Sequence, residues 1–303
     1  MRAIHLFWNS AFIKALRSDT VASLSAVILL FLIFLALFAP LLSPHTPYDL
    51  STIDILDSNM PPAWDAKGSV HFLLGTDNQG RDVLSSVLYG LRLSVIIGLG
   101  AVVVQVVLGV TLGLIAGYKE GMIGALIMRI ADIELSFSTY IIAIFSGAII
   151  QASCGIEYYN TIAMPLLIGI IGISEWPQYA RTVRAKVLSE KKKEYVEAAR
   201  VIGLRPLHIM WKHILPNSLS PVLVICTVQV ANAVMSEAAL SFLGLGMPPT
   251  QPSLGSLIKD GFHYFFSGSW WIITFPSLAL ILLIVSINSL GDFVRDYLNP
   301  RKI

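Results

Sequence analysis

Long charge-free apolar runs separated by short charged segments constrain this chain more than any other feature. The first extends from Thr20 to Pro44 without an Asp, Glu, Lys or Arg. Roughly 18 or more such residues, wound as a helix, cross the ~30 Å hydrocarbon core of a bilayer. Spans can be drawn at 21–42, 93–117, 123–150, 161–179, 221–243 and 270–290. Only 13% of the 303 residues are charged, too few to wet a soluble domain, which carries about 25%. The runs are continuous rather than alternating with period two, which argues against a barrel. The expected fold is an all-α polytopic membrane protein of about six transmembrane helices. The first run exceeds the ~7–15 residues of a signal-peptide core and no A-x-A site follows, so it reads as a retained anchor.

Lys and Arg mark the cytoplasmic side of a membrane protein. With six spans and the N-terminus inside, 17 of the 21 Lys and Arg residues fall in inner segments. The outer exceptions are Lys67, Arg81, Arg92 and Lys259, and the outer loop 43–92 is acidic. Both termini are therefore expected in the cytoplasm. Cys154, in a short loop, and Cys226, in an apolar segment, differ in depth, so no disulfide is expected. The second span carries Gly109, Gly113 and Gly117, a doubled G-x-x-x-G that lets another helix approach closely. Trp270 and Trp271 are placed as interfacial anchors of the last span.

The longest inner loop, 181–218, is more than a connector. Arg181–Ser189 continues the fourth span below the membrane, and a short helix Glu194–Ile202 follows, ended by Gly203. Pro206 starts a further helix to about Leu215, where Pro216 blocks simple continuation. Tyr195, Ala198, Ala199 and Ile202 share one helical face, flanked by Glu197 and Arg200. Pattern alone leaves two uses open: insertion into a groove on another protein, or lying on an anionic bilayer with help from Lys191–Lys193.

The run from Glu197-Ala198-Ala199 through Gly203 to His213-Ile214-Leu215-Pro216 resembles the EAA motif of ATP-binding-cassette importer permeases, with His213 where the general pattern has Ile. Leu73–Ser94, containing G-T-D-N-Q-G-R-D, resembles the signature of the C-type subunit of the dipeptide/oligopeptide permease family. Asp77 there is also a good N-cap for a helix entering the second span. Met128–Asp132, Ser236–Gly246 and Gly291–Arg301 resemble further stretches of that family, so the likeness covers nearly the whole chain. Ser86, Ser138 and Leu254 depart from it, standing where Arg, Pro and Trp are common.

The resemblance implies a type I importer permease. Residues 1–92 would hold the N-terminal segment, the anchor and the outer loop, residues 93–293 a five-helix core, and residues 294–303 a tail. It implies that Tyr195, Glu197, Ala198, Ala199, Arg200, Gly203, Leu215 and Pro216 couple the chain to an ATPase. The implied partners are a homologous second permease, two cytoplasmic ATP-binding subunits and an extracytoplasmic binding protein, in the bacterial cytoplasmic membrane. The implied cargo is a dipeptide or oligopeptide, with nickel chelates, glutathione or antimicrobial peptides as alternatives. No G-x-x-x-x-G-K-[ST] loop occurs, so ATP and Mg belong to the partners and no cofactor is expected in this chain.

Ionisable groups at membrane depth are costly and face protein or water. Arg129 and Asp132, at i and i+3, are placed to pair. Asp132 and Glu175 fall near the inner interface, which favours structural pairing. Glu237, near the outer end of the fifth span, is placed to line a pathway or meet a peptide amine, and Asp132 is the second pathway candidate. Glu134 lies early in the third span. His208 and His213 are five apart, poor spacing for one helix face and for a metal. No nucleophile–base set is visible, and no catalytic residue is expected. A stand-alone secondary transporter would show internal repeats, and none is evident between 1–150 and 151–303. An intramembrane enzyme would need paired ionisable groups that the clean spans do not supply.

Overall fold

The computed structural model describes residues 11–48, 53–119 and 121–298. Among them the chain is helical, with one isolated bridge between Thr76 and Asp82. The helices are α1 (Ala11–Ser18), α2 (Thr20–Leu37), α3 (Ala39–Leu42), α4 (Val83–Tyr118), α5 (Met122–Glu134), α6 (Thr139–Cys154) and α7 (Ile156–Glu190). Then come α8 (Glu194–Val201), α9 (Pro206–His208), α10 (Leu215–Ser218), α11 (Ser220–Phe242), α12 (Leu254–Phe265) and α13 (Trp271–Tyr297). Five of these, α2, α4, α7, α11 and α13, are long and apolar enough to cross a membrane, and α5 with α6 forms a bent sixth.

The third span, expected as one helix, is broken between α5 and α6 and bends by 80°. Its residues explain the break. Ser136 Oγ donates to the Asp132 carbonyl, Phe137 N–H closes a turn onto Glu134, and Ser138 is extended. Serine competing for helix carbonyls favours bends and ends. Arg129, Asp132 and Glu134 all lie on the α5 side of the break.

Two helices outgrow the bilayer. At ~1.5 Å per residue, the 36 residues of α4 and 35 of α7 are far longer than a ~30 Å core requires. They pack along each other through the glycine stripe. A Cβ at Gly109 would collide with Tyr179 Cβ, one at Gly113 would lie 2.6 Å from the Ala180 carbonyl, and one at Gly117 2.7 Å from Val187 Cβ. Gly172 of α7 answers from the other side, where a Cβ would meet Val104 at 2.6 Å. The stripe therefore serves packing within this chain.

At the end of the bundle opposite the 181–218 loop, the cap differs from the expected one. Asp82, not Asp77, caps α4, its Oδ2 accepting Ser85 N–H at 2.8 Å. Asp77 instead closes the turn that contains Gly80, accepting from Gln79 N–H at 2.8 Å and Arg81 N–H at 2.9 Å. Its second oxygen holds Arg81 Nε at 2.6 Å, and Arg81 reaches on to the Pro249 carbonyl and to Asp260. Burial raises the Asp260 carboxyl, and Arg81 opposes the rise. α12 was not anticipated. It is capped by Ser253 and lies so close to α11 and α13 that a Cβ at Gly255 or Gly261 would strike their backbones. Trp271 is likewise not an interfacial anchor: it is buried, donating its indole N–H to the Thr76 carbonyl at 3.0 Å, whereas Trp270 is exposed. Cys154 and Cys226 are free thiols.

Overpacking costs about 1–3 kcal/mol, and no neighbour of Gly113 is a flexible tip. Gly113→Leu is expected to lower the thermal midpoint of the detergent-solubilised protein. Gly169→Ala, where nothing lies within 4 Å, is expected to leave it unchanged or raise it, since Gly weakens a helix by roughly 0.5–1 kcal/mol against Ala. Differential scanning fluorimetry of both variants checks the pair.

Candidate functional site

The loop end of the bundle is organised by a carboxylate that the sequence motifs do not single out. α7 continues to Glu190, whose side chain is only 1% exposed. It accepts from Lys193 Nζ at 2.8 Å, Tyr195 OH at 2.8 Å and Lys186 Nζ at 3.2 Å. A buried charge stands only when so paired. Burial and the adjacent Glu190 both raise the Tyr195 phenol, so Tyr195 is a donor at neutral pH. Tyr118, the last residue of α4, makes the second tie. Its carbonyl accepts Lys191 Nζ at 2.8 Å, and its ring lies 5.5 Å from Lys191 Nζ and 5.9 Å from the Arg200 guanidinium. Cations over an aromatic face are attracted by its quadrupole. The i,i+4 spacing of Lys186 and Glu190 was a legible signal. Tyr118 offered none, because its partners lie far along the chain.

These ties fix α8 in a rotation the helical wheel did not give. Val196 and Ala199 point inward onto Val187, Ile209, Met210 and Ile214. The expected face of Tyr195, Ala198, Ala199 and Ile202 is therefore split, because burying Val196 carries its i+3 neighbour Ala199 inward. What remains outside is a ridge of Ala198, Val201 and Ile202, the last two 88% and 77% exposed, with Glu197 and Arg200 exposed beside it. Gly203 ends α8 at φ +83°. Its N–H bonds the Arg200 carbonyl and Leu204 N–H bonds that of Ala199, the Schellman pattern that favours glycine.

Pro216 does not stop the next helix. A π-helical stretch, Ile209–Ile214, precedes it, and the chain stays helical through α10 into α11. A wider turn ahead of a proline absorbs the missing donor and the ring's bulk. Leu215 packs against the inward cluster, and Pro216 is exposed. The wide turn also draws His208 and His213, five apart, to a ring separation of 5.8 Å.

The ionisable groups in the spans are arranged differently from the expectation. Asp132 pairs with Arg181 of α7 at 2.7 Å rather than with Arg129; both side chains are half-exposed, so the pair contributes about 0–1 kcal/mol. Glu237 is wholly buried and accepts from Ser94 Oγ at 2.8 Å and Ser241 Oγ at 2.7 Å, so it fastens α11 to α4 and lines no open route. Glu175 is only partly buried. It accepts from Gln178 at 2.6 Å and, at 3.5 Å, from Thr139 and Gln229.

Hydrogen bonds to charged groups contribute roughly 1.5–3 kcal/mol each. Glu190→Ala is therefore expected to release α8, seen as faster amide exchange across residues 194–201 with little change in the middle of α4. Tyr195→Phe removes one donor and is expected to speed that exchange less.

Comparison with known proteins agrees with this architecture. The family described as "Binding-protein-dependent transport system inner membrane component" matches residues 109–303. The "N-terminal TM domain of oligopeptide transport permease C" matches residues 7–62. The dipeptide transport system permease protein DppC of Escherichia coli K12 is 38% identical, over 99% of this chain and 94% of its own. The di/tripeptide transport system permease protein DppC of Pseudomonas aeruginosa is 37% identical, over 90% of this chain and 86% of its own. A chain of the inward-facing MetNI methionine ABC transporter superposes with a TM-score of 0.52 at 20% identity, covering 72% of this chain and 96% of that one. That likeness shows a shared fold, the type I importer permease bundle. The chain is a multi-pass membrane protein and belongs to the family of inner membrane components of binding-protein-dependent transport systems.

Proposed function

We propose that this chain is one of two membrane-spanning subunits of a bacterial importer that moves dipeptides or short oligopeptides across the cytoplasmic membrane, driven by ATP hydrolysis in partner subunits. The observation that carries the reading is the exposed Ala198–Val201–Ile202 ridge, locked to the ends of both over-long helices. An apolar ridge on a rigid helix suits a groove on another protein. It has no use in a stand-alone secondary transporter. The names of the relatives support the peptide class of cargo.

In this reading the 181–218 loop and both termini face the cytoplasm, in line with the positive residues gathered there. Two ATP-binding subunits, which hold ATP and Mg, receive the ridges of this chain and of a homologous second permease. An extracytoplasmic binding protein delivers cargo to the opposite end. When the ATPases close, they displace the ridge. Glu190 carries that displacement into α7, and Tyr118 carries it into α4. Because α4 and α7 are in backbone contact along the glycine stripe, they move as one body. The chain contributes the route and the lever and performs no chemistry of its own.

The test is import by the whole assembly in sealed vesicles. Ile202→Asp places a charge on the ridge without disturbing Val196 or Ala199. Gly203→Val strains the φ +83° terminator, a conformation in which β-branched residues are outliers. Each is expected to lower peptide import by about tenfold or more, equivalent to at least ~1.4 kcal/mol of coupling, while the protein still inserts. Glu197→Lys is expected to act in the same direction. Purification from native membranes is expected to bring down a second permease and phosphate-loop ATPases. Import at the wild-type rate by all three variants, or recovery of the chain alone and active without ATP, overturns the proposal.

A further inference from the structure

We infer that the bend between α5 and α6 forms a cation-accepting site, and that it takes the α-ammonium group of a peptide in transit; this rests on the peptide-importer reading above. A cavity of about 310 Å³ lies between the bend and α7, lined by Glu134, Ser146 and Ser174 among the apolar side chains of Ile142, Ile170 and Ile173. Ser174 is buried, only 6% exposed, and its hydroxyl has no hydrogen-bond partner. Among the described residues the Glu134 carboxylate has neither an ion pair nor a side-chain hydrogen bond. A second carboxylate, Glu175, follows Ser174 in the chain and is tied to the bend through Thr139, receiving only neutral donors.

Ionisable groups beside a span face protein or water rather than lipid, and of these two carboxylates Glu134 is the one on the cavity wall. Asp132, one turn before the bend, is already matched by Arg181. The wall thus offers negative charge, an unsatisfied hydroxyl and apolar surface together. That combination suits a small body with one cationic head. The volume is at the lower end of ligand pockets, which run from about 300 to 1,000 Å³, so it accommodates one or two residues rather than a long chain. A basic side chain of the second permease is the competing occupant.

The experiment uses the complete transporter, with Ser146→Cys introduced in a Cys154→Ser, Cys226→Ser background. Labelling by 2-aminoethyl methanethiosulfonate, a cation, is compared with labelling by 2-sulfonatoethyl methanethiosulfonate, an anion. The cation is expected to react faster by about tenfold, the preference is expected to collapse with Glu134→Gln, and alanyl-alanine in transit is expected to slow the reaction. Glu134→Gln combined with Glu175→Gln is expected to lower alanyl-alanine import about tenfold, and Glu134→Asp to retain most of it. Equal labelling by the two reagents overturns the inference, as does wild-type import by the double variant. Assembly lost in the double variant and restored by a charge reversal in the second permease assigns the site to that subunit and also overturns it. Failure of the wild-type complex to import alanyl-alanine defeats the peptide reading instead, whatever the labelling shows.

Discussion

Backbone contact between α4 and α7 is the constraint on which the rest depends. In a bilayer, lipid tails are as apolar as leucine, so helices associate through close van der Waals fit rather than through a hydrophobic driving force. Gly109, Gly113 and Gly117 leave three gaps along one edge of α4, and backbone and Cβ atoms of α7 fill them. Each glycine weakens its own helix, by roughly 0.5–1 kcal/mol against alanine. That loss is recovered only because the approach gives contact over the whole stripe. Along the stripe the two helices pack as one unit, with backbone atoms of α7 close to all three glycines.

The two ends of this helix pair are fastened by different chemistry. At the loop end the fastening is ionic and aromatic: Glu190 with its three donors, and Tyr118 with Lys191 and Arg200. At the other end it is a buried turn, in which Asp77 holds Arg81 and Trp271 donates to the Thr76 carbonyl. The G-T-D-N-Q-G-R-D stretch is thus a structural knot. Asp77 and Asp82 divide its labour, one closing the turn and one capping α4. The sequence points to Asp77 as the cap, and the fold places it at Asp82.

What was legible follows from what is local. Apolar runs set the spans, and a Schellman end at Gly203 could be read from one glycine after a helical run. The bend at Ser136–Ser138 was missed because the apolar signal is continuous across it. Hydropathy counts the serines as mild, although their hydroxyls compete for helix carbonyls. α12 was missed because twelve residues cannot cross a membrane, and span-counting gives them no role. The face of α8 was misjudged by one position because the helical wheel weighs each residue alone. Whether Ala199 or Ala198 turns inward is decided by Val196, by Glu190 just ahead of the helix and by the inward cluster around Ile209 and Met210.

The same distinction separates the carboxylates. Glu237 and Glu134 look alike in sequence, since each is an acid beside an apolar run. The fold gives Glu237 two serine hydroxyls and no exposure, which makes it a fastener between α11 and α4. It gives Glu134 a place on a cavity wall. A buried acid that is fully satisfied has nothing left to offer a passing ligand. An acid without a donor keeps its acceptors available, and a bend in the helix that carries it is what opens space beside it. The break in the third span sets the place of that cavity, because its lining comes from α5, from α6 beyond the bend and from α7.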